Sequence, residues 1–154
     1  MRRLIACGLI ALNLLVVSCS KEDLSSDETD PSVTITKQIL DLVNVYRANI
    51  GKEKLVRNID ADQVANIHTN YMIEQGFISH DNFYKRMEDL RELVNAKAVA
   101  ENVAFGYASG ESVMEGWLKS PGHKANIEGD FTHVGIAAIQ DENGRYYYTQ
   151  IFYR

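Results

Sequence analysis

The sequence predicts an α+β domain, and three observations lead there. Helix-period apolar patterning fills much of the chain from residue 35 to about residue 94. Two alternating runs about an acidic turn close it. Strands are too sparse among the helices for the strand-helix alternation of a doubly wound parallel sheet. The chain has 154 residues, which suits one domain able to bury about two thirds of its unfolded surface. We place that domain at residues 35–154.

What precedes it reads as export machinery. Met1-Arg2-Arg3 and the apolar run Leu4 to Val17 have the charged start and short apolar stretch of a secretory signal, below the ~20 residues that span a bilayer. The run ends Val16-Val17-Ser18-Cys19, which resembles a bacterial lipobox. Residues 1–18 are therefore expected to be a lipoprotein-type signal peptide and Cys19 the lipidated residue, since several acyl chains anchor stably where one does not. The other cysteine, Cys7, lies inside that signal, so the domain has none for a disulfide. Residues 19–34 are polar and acidic and read as a flexible tether. Within it Lys21-Glu22-Asp23 resembles an acidic surface-export signal, with a plain solvated linker as the other reading.

The charge excludes some partners. The formal net charge is −5, and losing residues 1–18 removes two arginines and no acids, giving −7. Nucleic acid needs a basic face, and anionic lipid heads need basic clusters. The expected location is extracytoplasmic, on a bacterial envelope membrane held by the lipid anchor, at the outer membrane or cell surface.

Within the domain, Ile35, Ile39, Leu42, Val43, Tyr46 and Ile50 recur at three and four and predict a helix over 36–50 stopped by Gly51. Asp60 is read as the N-cap of a second helix, with Val64, Ile67 and Tyr71 on one row, Ala65, His68 and Met72 on the next, and Gly76 as its stop. His68 on that helix reads as a histidine packed or hydrogen-bonded at the core's edge. Phe77-Ile78 is expected inside the core. Ser79-His80-Asp81-Asn82 reads as a turn into a helix over 83–94. Residues 98–104 read as a short strand with Glu101 in its middle, where a buried carboxylate needs a partner. Ser109 caps a helix that turns Val113, Met114, Trp117 and Leu118 inward and that Pro121 closes. Residues 134–139 and 145–153 form a hairpin about Asp141-Glu142-Asn143-Gly144.

Three of the four histidines fall in residues 79–135, in Ser79-His80, Ala100-Glu101-Asn102, Ser120-Pro121-Gly122-His123-Lys124-Ala125-Asn126-Ile127 and Phe131-Thr132-His133-Val134-Gly135. With Asn44-x-x-Arg47-x-x-x-Gly51-x-x-x-Leu55 and the closing run Tyr147 to Phe152, this set resembles the CAP superfamily (cysteine-rich secretory proteins, antigen 5, pathogenesis-related proteins), and in particular its short bacterial SCP-like members. The resemblance covers about residues 37–153. It implies a three-layer α-β-α sandwich with an antiparallel sheet between helices. It also implies that His80, Glu101 and His123 match three of a cleft tetrad of two His and two Glu, and that Asn102 and Asn126 hydrogen-bond backbone that shapes the cleft.

Two imidazoles and a carboxylate suit zinc or another divalent metal with a position left for water. The same three also suit a hydrogen-bonded network in which Glu101 fixes a histidine tautomer. Both readings stand here, because these residues lie about twenty apart and no local spacing assembles them. The chain departs from the family at the second acidic position. Ser120 stands near that place, and Glu115, two residues before Trp117, is the nearest acid. Ala100 also stands where Gly is usual. His133 reads as a rim or cross-strand residue.

Three functions are consistent with this. The first is a non-catalytic envelope module capturing an apolar or cell-envelope ligand in the cleft. The second is a metal-dependent, peptidase-like hydrolase using His80, Glu101 and His123, with Glu101, the candidate catalytic residue, or a histidine as base on metal-bound water. The third is a purely structural remnant. An activated serine or cysteine is not expected, since the domain has no Cys and Ser79 lacks a nucleophile-elbow setting.

Overall fold

A computed structural model describes residues 31–154, the side chain of Val33 excepted. The expected leader, Cys19 and the tether up to residue 30 lie outside the described residues. The elements are α1 (Pro31–Asn49), β1 (Val56–Arg57), α2 (Ile59–Gln75), α3 (Phe83–Val94), β2 (Val99–Phe105), α4 (Gly110–Lys119), α5 (Pro121–Ile127), β3 (His133–Gln140) and β4 (Tyr146–Tyr153). The strands form one sheet in the order β1-β3-β4-β2. β2, β4 and β3 are antiparallel, and the two-residue β1 adds a parallel pairing to β3.

Period-two alternation divides the sheet's side chains between two helical layers. Val134, Ile136, Ala138, Tyr148 and Phe152 pack with α1, α4 and α5, around Ile39, Val43, Trp117 and Ile127. Ala137, Ile151 and Tyr153 pack with α2 and α3, around Ala61, Ala65 and Leu90. The α+β sandwich expected from the sequence is therefore present, with β2 as one edge strand.

The first helix begins at Pro31 rather than near residue 36, taking in residues assigned to the tether. Proline is pre-organised for the first helical turn and has no N–H to leave unpaired there. Ile35, Ile39 and Val43 are buried in one i, i+4 row that Arg47, also buried, continues. The α2 cap is Asn58, two residues before Asp60. Its side chain accepts from the Ala61 N–H at 2.9 Å, while Asp60 and Asp62 sit in the first turn, where the helix dipole favours acids. Gly76 ends the helix at φ +76°.

Several expectations fail on burial. Ile67 on α2 is exposed, and so are Phe77 (54%) and Ile78 (46%). The pair follows the left-handed cap, and Ile78 lines a groove, so its apolar letters do not mark core. Ser109 caps α4 as expected, with a reciprocal bond to Ser112. Pro121, however, does not merely stop a helix. It opens α5, with Pro again in the first turn. β4 is buried at every position, because it is central and covered on both faces.

At one point the layers meet without side chains between them. A methyl group placed on Gly135 of β3 would lie 2.2 Å from the Ala61 carbonyl carbon of α2, so the first turn of that helix rests on bare strand.

Candidate functional site

The site is assembled around the outer edge of β2. Adjacent strand residues face opposite layers, so Glu101 points toward α2 and α3 while Asn102 points toward α5. His80 arrives from the loop between α2 and α3, and His123 from α5.

Glu101 is the centre of the first side. Its side chain is 1% exposed. Arg86 of α3 holds it with a two-pronged grip, Nε donating to Oε2 at 2.6 Å and Nη2 to Oε1 at 2.7 Å. A third N–H of Arg86 donates to the Asp81 carbonyl at 2.7 Å, which fixes the loop carrying His80. The His80 ring nitrogen Nδ1 lies 2.7 Å from Glu101 Oε1. A carboxylate gripped by a guanidinium accepts hydrogen bonds, so the proton of this contact sits on Nδ1. His80 itself is about half exposed.

His68 of α2 joins the same cluster. Its Nε2 donates to the Ser79 carbonyl at 2.8 Å and lies 3.8 Å from Glu101 Oε1. Burial lowers its pKa, opposed by the nearby Glu101 charge, and the ring stacks on Tyr71. The packed, hydrogen-bonded histidine read from the sequence is what the fold contains, and it also backs the Glu101 cluster.

The second side is an amide chain. Asn126 Nδ2 donates to the Glu101 carbonyl at 3.0 Å and to Asn102 Oδ1 at 2.9 Å. Asn102 Nδ2 in turn donates to the His123 carbonyl and to Gln150 Oε1, each at 3.2 Å. The two asparagines thus bind α5, and with it His123, to the strand that carries Glu101. Burial lowers the pKa of His123, and charge on nearby His80 lowers it further, so the neutral ring is favoured.

The remaining candidates lie elsewhere. Glu115 is exposed and pairs with Lys119 at 2.6 Å, so it does not supply the second acid. Ser120 is the residue before α5 and lines the groove beside His123. His133 begins β3 and stacks on Tyr153, its register partner, with centroids 4.8 Å apart.

A three-ligand metal centre does not fit these residues. Among those described, no group of three or more His, Cys, Asp or Glu is arranged to hold a metal ion. Glu101 is enclosed and already accepts three hydrogen bonds from Arg86 and His80. That leaves two imidazoles as donors, one fewer than hydrolytic zinc sites use.

Sequence reasoning missed Arg86. A signal was present: Arg86, Leu90 and Val94 are spaced by four on α3, so the arginine falls on the apolar row of an otherwise polar helix.

Next to His123 a groove of about 260 Å³ is lined by Ile78, Val103, Phe105, Tyr107 and Trp117, with Gly116 in its wall. Ile78, Phe105 and Tyr107 are exposed, an apolar rim on an acidic protein.

The model of the cysteine-rich secretory protein (CAP) family matches residues 40–152. The uncharacterized membrane protein YlbC of Bacillus subtilis (strain 168) is 38% identical over 133 residues, which are 82% of this chain and 37% of that protein. The uncharacterized protein YkwD of the same organism is 26% identical over 108 residues, 68% of this chain and 42% of that protein. The chain thus spans less than half the length of either. Among solved structures, an extracellular protein containing a SCP domain from Bacillus anthracis superimposes with a TM-score of 0.71 at 28% identity, over 80% of this chain and 41% of that one. An outer surface protein from Borrelia burgdorferi also gives 0.71, at 18% identity, over 79% of this chain and 92% of that one, a likeness of fold alone.

Proposed function

The chain belongs to the CAP family, and from that premise we propose that it is a non-catalytic, extracytoplasmic module that captures an apolar or cell-envelope ligand in the groove ending at His123. The observation that carries this reading is the grip of Arg86 on Glu101. A general base must come within hydrogen-bond reach of the proton it takes, and this carboxylate is enclosed and already bonded on both oxygens. In the proposal Glu101 orients His80 and holds the loop that forms one wall of the cleft.

Attachment through a lipid at Cys19 is part of the proposal. No helix of the described residues is long and apolar enough to cross a membrane, and the acidic charge offers anionic lipids nothing. An extracellular SCP-domain protein among the similar structures supports an extracytoplasmic place.

The test is capture of a fluorescent fatty acid such as cis-parinaric acid, with peptide and ester hydrolysis followed in parallel. Saturable binding that survives EDTA and Glu101→Gln, and weakens about tenfold in Ile78→Asp, is the expected result. Turnover that disappears with chelator or with Glu101→Gln would instead make the protein a metal-dependent hydrolase.

A further inference from the structure

The groove beside His123 has a feature that apolar lining does not explain. Ala98 and Arg154 exchange backbone hydrogen bonds, and the Gly106 N–H donates to the Tyr146 carbonyl. In the register of β2 with β4, where Ala100 faces Phe152 and Ala104 faces Tyr148, the even residues of β2 are therefore those bonded to β4. The alternation of an antiparallel ladder then turns the N–H and C=O of Glu101, Val103 and Phe105 away from the sheet. Among the described residues no strand stands beyond β2.

Two of the outward carbonyls are met. Glu101 C=O accepts from Asn126 Nδ2 at 3.0 Å, and Val103 C=O accepts from Trp117 Nε1 at 3.3 Å. The outward N–H groups are not: among the described residues none accepts from Val103 or Phe105 N–H. Val103 is 4% exposed, so its N–H is a nearly buried donor of a kind that native proteins rarely leave unpaired. The Val103 side chain packs with Met72 and Tyr147 on the α2 side. What Val103 turns toward the groove it lines is thus its backbone edge.

We propose that the outer edge of β2 is a docking rail for an extended peptide, whose carbonyls accept from the Val103 and Phe105 N–H groups while its apolar side chains lie on Ile78, Tyr107 and Trp117. This rests on the reading of the groove as a ligand site and names the ligand's class. The two donors lie one strand repeat apart, about 6.8 Å. A hydrocarbon chain leaves both unsatisfied, and a carboxylate head group reaches one. An extended peptide presents carbonyls on one side at the same two-residue repeat, which is the pairing used in strand addition. The Val103 and Glu101 carbonyls, bonded to Trp117 and Asn126, each keep a second lone pair able to accept a peptide N–H.

Amide hydrogen exchange on the full chain in mild detergent tests this. The probes are an acetylated heptapeptide of alternating valine and threonine, its analogue with two alternate amides replaced by esters, and cis-parinaric acid. The peptide should slow exchange at Val103 and Phe105 by at least tenfold and leave Asn102 and Ala104, already bonded to β4, unchanged. The ester analogue, a weaker acceptor, should bind about tenfold less tightly. Capture of parinaric acid with no slowing at Val103 and Phe105 under saturating peptide overturns the rail and leaves the groove as a ligand site. Failure of the peptide and the fatty acid alike overturns both.

Discussion

Two arginines are buried in this domain to nearly the same degree, and they do different work. Arg47, 2% exposed, donates from Nε to the Glu53 carbonyl, from Nη1 to those of Ile127 and Gly129, and from Nη2 to that of Phe131, at 2.7–3.1 Å. All its acceptors are neutral backbone, and burial lowers its pKa, opposed by Asp130. Arg86, 6% exposed, spends two of its three bonds on the Glu101 carboxylate. The first arginine gathers the loop after α1 and the chain between α5 and β3 into one knot. The second holds a buried carboxylate by both its oxygens. A buried cation surrounded by carbonyls marks architecture, whereas one paired with an acid in a cleft decides what chemistry that acid can do.

The largest test of this contrast is Arg47→Met. Four carbonyls lose their donor, at about 1–3 kcal/mol for each one left buried and unpaired, and relaxation recovers part of that. A loss of about 4 kcal/mol in urea denaturation is expected, enough to unfold a marginal domain. A loss under about 1 kcal/mol would show that water replaces the guanidinium easily. Arg86→Met should cost about 3 kcal/mol, because the buried Glu101 charge then loses its cation and keeps only the His80 N–H. Arg86→Met combined with Glu101→Met should recover most of it. If the double variant is as unstable as Arg86→Met alone, the two residues are not a coupled pair, and the distinction drawn from Arg47 fails.

The histidines give a smaller, pH-dependent effect. Burial holds the pKa of His68 and His123 below the ordinary imidazole value of 6.5. The unfolded chain therefore binds more protons than the folded one once pH falls below about 6.5, and stability declines toward acid. The His68→Gln variant should show a shallower decline than wild type between pH 6.5 and 5 in thermal melts. Parallel curves would mean that His68 takes its proton without disturbing the fold. Smallest is Ser109→Ala, which removes the reciprocal cap of α4 and should cost about 1 kcal/mol without altering ligand capture.

Much of this could be read from sequence wherever one face of an element is wet. α2, α3, β2, α4 and the closing hairpin show their periods, and Asn44-x-x-Arg47 is visible as a motif. The structure adds that Asn44 bonds both the N–H and C=O of Leu55, at 2.7 and 3.0 Å. Pattern fails where period carries no information. The two residues of β1 are too few to alternate, and the Pro-Gly opening of α5 reads as a turn. The candidate site was legible as residue types and order. Its electrostatics were not, because the partner that decides the role of Glu101 comes from a different helix.

The contact at Gly135 reaches further than packing. With only a hydrogen atom between strand and helix, that residue acts as a gauge block for the whole α2 layer. A single added methyl group would lever the helix outward, shifting His68 along it and, through the loop that follows, His80. The placement of His68 and His80 is thus calibrated at a position that carries no chemistry of its own.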